Sequence, residues 1–218
     1  MLLTLGLALL TQTPSTVQRR VEAIRDDFAV KVARCGRSWP KSPEMIADTR
    51  RAMIFFNEKR ISIHYPIWSD LPAETRSSLA AAAADAPRRP TPEAHFAAVF
   101  QRFLIAHELG HYLEILGGRK LSWWESEYQA NRVAVAYWRL KDGDRAVLRQ
   151  LKDYWTHESK RPSPAPAGAD LPAFFNRSTF DPATYGWWQA EMTRRAWQAR
   201  RSTSFCALVK DLWPAKRH

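Results

Sequence analysis

The segment Ile105-Ala106-His107-Glu108-Leu109-Gly110-His111 constrains this chain more than any other. It has the pattern His-Glu-x-x-His and lies inside a long run of apolar residues at helical spacing. On a helix, His107 and His111 stand one turn apart on one face, where both imidazoles can reach a single metal ion. Glu108 is rotated by about 100° from His107, close enough to serve as general base toward a water on that metal. A chain carrying this segment must supply a long helix, a third ligand from elsewhere and a wall for a substrate.

The helix has clear ends. Thr91 followed by Pro92 pairs a capping hydroxyl with proline at the first helical position, and Gly117-Gly118 stops the run after Leu116. Phe96, Phe100, Phe103, Ala106 and Gly110 mark its packing stripe, while His107, His111 and, one turn on, Glu114 mark the metal face. The next helix opens at Ser122-Trp123-Trp124-Glu125, an S-x-x-E capping box that accounts for Glu125. Glu127 then stands as the candidate third ligand, with Asn131 one turn later on the same face. Glu114 and Glu125 are its alternatives. Two histidines and one carboxylate, with a fourth position left to water, form a catalytic rather than a structural zinc arrangement.

His-Glu-x-x-His followed by Glu127-Tyr128-Gln129-Ala130-Asn131 resembles the gluzincin metallopeptidases. The likeness is nearest to the minimal zincin domains of the ImmA/IrrE kind and more distant to HtpX-like membrane peptidases. It spans roughly residues 91–140. It implies a zinc metallopeptidase acting on a peptide or protein substrate, with one Zn2+ held by His107, His111 and Glu127 and with Glu108 as catalytic base. It also implies that Asn131, where those families often have Asp, buttresses a zinc-bound histidine through its amide oxygen. Without charge, that buttress raises ligand basicity less. The chain lacks the several membrane spans of HtpX-like enzymes, so a stable span is not expected.

With 218 residues and 45% hydrophobic content, the chain can bury one sizeable core. The expected fold is mainly α with a small β-hairpin or sheet (α+β): a minimal zincin-like domain with extra C-terminal helices. Residues 1–15 read as a signal peptide from the apolar run Met1–Leu10, which predicts export to the periplasm or beyond and otherwise a cytoplasmic protein. Residues 16–160 form the metallopeptidase core. The Pro-rich stretch 161–172 is a semi-rigid loop, and 173–218 is a helical subdomain packing on the core.

Within the core, Val17, Val21, Ile24, Phe28 and Val32 predict an amphipathic helix. Residues 37–48 read as a loop. Ala52–Phe56 and Ile61–Tyr65 predict a hairpin whose second strand is half-exposed, with Ser62 and His64 outward and a free edge for an extended peptide. Candidate oxyanion donors in the C-terminal third are His157, Tyr185 and Arg177. Cys35 and Cys206 are compatible with one disulfide or with two free thiols.

The net charge of +11 invites a nucleic-acid partner. No Lys/Arg block exceeds two residues and no nucleic-acid motif is visible, so the excess reads as solvated helix faces. The rival function is a catalytically silent zincin-like scaffold whose basic surface binds nucleic acid or an acidic partner.

Overall fold

A computed structural model describes residues 14–50, 53–86, 88–141, 145–178 and 181–215. The expected signal peptide, apart from the first residues of the first helix, lies outside them. The chain is mainly helical with one small sheet, as its patterning predicts. The helix α1 (Pro14–Arg34) is followed by the strands β1 (Glu44–Ala47), β2 (Phe55–Asn57) and β3 (Ser62–Tyr65). Then come α2 (Ala73–Asp85), α3 (Pro92–Ala98), α4 (Leu104–Leu116), α5 (Trp123–Leu140), α6 (Arg145–Glu158), α7 (Leu171–Arg177), α8 (Pro182–Gln198) and α9 (Phe205–Leu212). No helix among the described residues is long and apolar enough to cross a membrane.

The α1 stripe is buried along its whole length, from Val17 through Val32 to Cys35. It packs on α4, α9 and the sheet. Gly36, at φ +81°, ends the helix in the left-handed region that L side chains avoid.

The sheet corrects two expectations. Residues 44–47, expected in a loop because the 37–48 stretch contains Pro40 and Pro43, form β1 and pair in parallel with β3. With β2 antiparallel on its other side, β3 is the central strand and has no free edge. Nor are Ser62 and His64 half-exposed; all four residues of β3 are buried. Their polar atoms satisfy one another: Ser62 Oγ lies 3.1 Å from His64 Nε2, and His64 Nδ1 lies 3.1 Å from Asp48 Oδ2. Phe55 stacks on the His64 ring at 4.5 Å. The guanidinium of Arg50 holds the Asp48 carboxyl well below the usual range against the cost of its burial, with His64 assisting. Polar residues at every second position suggest a solvated face, but here they bond inside the protein.

Thr91 caps α3 as expected, its hydroxyl accepting from the Ala94 N–H at 3.2 Å. The predicted continuous helix is interrupted by one wide π-helical stretch, Val99–Phe103, ahead of the metal face. Such a stretch holds one residue more than an α-turn and resets the helical phase by about 100°. Gln101 and Phe103 consequently both face inward, and the Gln101 amide reaches the Pro66 carbonyl at 3.4 Å.

His95 on α3 is buried, and burial lowers its pKa from 6.5 to about 4. The folded state therefore resists a proton that the unfolded chain takes up. Stability from this group is complete above pH 6.5 and falls as the pH drops toward 4. The span is worth about 3 kcal/mol. Urea titrations of the wild type and His95→Gln at pH 7 and 4.5 should show the variant losing less on acidification. Parallel losses would remove His95 as the cause.

The C-terminal helices share the main core. Ala190 and Ala196 of α8 and Phe205, Leu208, Val209 and Leu212 of α9 lie in the same apolar cluster as α1, α4 and α5. Cys206, in the first turn of α9, is disulfide-bonded to Cys35, with Cα atoms 5.0 Å apart. A Cβ on Gly117 would stand 1.8 Å from the Leu212 carbonyl oxygen, so the glycine that stops α4 also makes room for the end of α9. The Pro-rich stretch is mostly exposed and anchored at Ala165, which is buried with Trp124, Phe175, Trp188 and Met192 in a second apolar cluster. The Trp187 indole N–H also bonds the Arg161 carbonyl at 3.0 Å.

Candidate metal centre

Two helices, α4 and α5, meet where glycine faces alanine. A Cβ on Gly110 would lie 2.9 Å from the Ala130 Cα, a distance real Cβ atoms do not adopt. The α4 and α5 backbones therefore approach closely at one turn of each. Around that contact the fold gathers His107, His111 and Glu127. The α5 end is fixed by the expected capping box, in which Ser122 Oγ accepts from the Glu125 N–H and Glu125 answers to the Ser122 N–H at 3.1 Å. Glu125 is thus spent on the cap. Asn176, beyond the reach of local patterning, accepts from the Trp124 N–H at 2.8 Å.

The three side chains form a triangle in which both Glu127 oxygens take part. His107 Nε2 is 3.1 Å from His111 Nε2 and 3.2 Å from Glu127 Oε2, and His111 Nε2 is 3.8 Å from Glu127 Oε1. Two metal bonds of about 2.0–2.1 Å at a tetrahedral angle set their donors about 3.3 Å apart. The three residues therefore fit a single small cation and could hold one.

Glu114 does not join the ligands. Its Oε2 lies 3.4 Å from His111 Nδ1, and Ser126 Oγ lies 3.1 Å from the same nitrogen and donates to Glu114 at 2.6 Å. This pair turns His111 Nε2 toward the triangle, as a carboxylate behind a metal-ligating imidazole does. Burial disfavours the His111 imidazolium, but Glu114, Glu127 and Glu108 outweigh it and raise the pKa to about 9. Burial likewise opposes the Glu127 carboxylate, yet the two histidines and Gln189 bring it down to about 2. Glu108 is pushed upward by burial and by the charge of Glu127, against His107, His111 and the backbone at Phe56, with which its carboxylate is hydrogen-bonded. That contact puts β2, rather than β3, beside the centre.

Asn131 departs from expectation. Its amide oxygen accepts from Thr193 at 2.7 Å, and its NH2 donates to the Glu127 carbonyl and to Gln189 Oε1, both at 2.9 Å. These bonds occupy it with α8 and its own helix, while His107 Nδ1 is buried without a hydrogen-bond partner among the described residues.

Of the candidate oxyanion donors, Tyr185 reaches the centre. Burial and the Glu127 charge raise its pKa well above the ordinary phenol value, and its hydroxyl accepts from Gln189 at 2.8 Å. Arg177 is exposed at the last turn of α7. The His157 side chain lies outside the described residues. Gln189, which sequence reasoning missed, donates to Glu127 Oε2 at 2.6 Å. Its one local signal is the i, i+4 spacing from Tyr185 on α8. The chain matches no known family model, curated protein or solved structure.

Proposed function

We propose that the protein is a zinc-dependent metallopeptidase. The observation that carries the reading is the grouping of His107, His111 and Glu127, the imidazole Nε2 atoms 3.1 Å apart and lying 3.2 and 3.8 Å from the Glu127 Oε2 and Oε1 atoms respectively, beside the buried carboxylate of Glu108. Among first-row ions, zinc suits two imidazoles and one carboxylate with an open fourth position. When bound, zinc supplies a nucleophilic water at neutral pH and an electrophile for the peptide carbonyl.

The chain's own residues do the rest. Glu108 takes the proton of the attacking water and delivers it to the leaving amine. Its burial suits a base that must also act as an acid, because the neutral form is not penalised. Tyr185, whose hydroxyl accepts from Gln189 and is hydrogen-bonded to Glu127, would turn its proton from that carboxylate to the developing oxyanion. The β2 edge beside Glu108 offers main-chain groups to an extended peptide. The Cys35–Cys206 bridge supports a working place in an oxidising compartment, outside the cytoplasm.

Elemental analysis is the direct test. Wild type should carry one zinc per chain, Glu127→Ala should lose most of it, and chelation should stop cleavage of an unfolded protein substrate until zinc is restored. A wild type that takes up no zinc ends this reading.

A further inference from the structure

Accepting that His107, His111 and Glu127 hold the metal, we propose that Gln189 is the positioning residue for Glu127, supporting the carboxylate ligand where the motif leads one to expect support of a histidine. By that motif Asn131 should stand behind a ligating histidine, but among the described residues Asn131 makes no bond to one; its amide bonds are to Thr193, Gln189 and the Glu127 carbonyl. The support passes one step outward, to α8. Thr193 fixes the Asn131 amide by donating to its oxygen at 2.7 Å. Asn131 in turn donates to Gln189 Oε1 at 2.9 Å, which leaves the Gln189 NH2 facing inward. That NH2 divides its two hydrogens between Glu127 Oε2 at 2.6 Å and the Tyr185 hydroxyl at 2.8 Å.

The orientation of the Gln189 amide follows from this chain of bonds. Oε1 faces a donor and Nε2 faces two oxygens, so a flipped amide would lose all three contacts. Glu127 is long and has three rotatable torsions. A donor on Oε2 stops the carboxylate from turning and keeps it directed at His107 and His111. The same Gln189 occupies a lone pair of Tyr185, whose hydroxyl is in turn hydrogen-bonded to Glu127. A neutral donor holds a ligating carboxylate without competing for the cation, which a lysine or arginine in that position would do.

Two variants test this, with metal affinity and ligand-field spectra as readouts. Gln189→Met keeps the length of the side chain and removes both polar atoms; Gln189→Glu keeps the shape and replaces the donor with an acceptor. Competition against a chromophoric chelator should show zinc bound 10–100-fold more weakly by Gln189→Met, and more weakly again by Gln189→Glu. The visible absorption of the Co2+-substituted protein should shift in both, because the Glu127 carboxylate is no longer fixed. If Gln189→Met does not fold, Gln189→Glu alone decides. Zinc affinity within twofold of wild type and an unchanged Co2+ spectrum would overturn the assignment. A wild type that binds neither ion, or a Glu127→Ala protein that binds as tightly as wild type, would instead overturn the metal reading beneath it.

Discussion

If the protein is the zinc peptidase proposed above, Glu108→Gln is expected to keep its zinc and to hydrolyse peptides about 10²–10⁴-fold more slowly than wild type. The substitution is nearly isosteric, and the amide oxygen can still accept a hydrogen bond from the backbone at Phe56. The three metal donors are untouched, so zinc content should stay at one per chain. Only the ability to take and return a proton is removed. A matched pair of measurements, zinc by elemental analysis and cleavage-product formation by mass spectrometry, separates this from a folding defect. Activity within threefold of wild type would mean that another group moves the proton. Loss of both zinc and activity would mean that Glu108 has a structural part in holding the centre.

The second large effect concerns the bridge between the end of α1 and the start of α9. Cys35 and Cys206 are separated by 171 residues, so closing this loop removes much of the freedom of the unfolded chain. The chain-entropy relation gives about 5 kcal/mol for a loop of that length. Total stabilities of domains lie at about 5–15 kcal/mol, so reduction should bring the protein close to its unfolding threshold at 37 °C. Cys35→Ser and a Cys35→Ser, Cys206→Ser double variant should show equally lowered urea midpoints, and reducing agent should lower only the wild type. A wild-type midpoint indifferent to reduction would show that the unfolded chain gains little freedom when the bond opens.

How far the fold could be read from sequence depended on range. The Thr91-Pro92 start, the Ser122/Glu125 cap and the α1 stripe are decided by residues within one or two turns, and each stands in the structure as its local pattern indicates. β1 escapes local patterning because four residues just after Pro40 and Pro43 carry no periodicity of their own; they become a strand only by pairing with β3, eighteen positions later. His64 and Ser62 were placed outward because their alternation is that of a half-exposed strand, while Asp48, which makes them tolerable inside, comes from a different segment. At the centre, His107 and His111 were legible because one helix carries both. The partners of Asn131 were not, since Gln189 and Thr193 lie about 60 positions away on α8. Capping chemistry is local, whereas the bonds behind a ligand are set by topology.

Gly110 adds a consequence for transplanting such a centre. A motif written His-Glu-x-x-His treats its two middle positions as blanks, and in this protein the second blank carries information. It is the absence of a side chain at 110, met by the small Ala130, that sets the separation of the two ligand-bearing helices. Copying only His107, Glu108, His111 and Glu127 onto another helix pair would transfer the chemistry without the ruler that spaces it. The portable unit includes that empty volume and its neighbour, and a search for related centres gains discrimination by asking for small residues at both places.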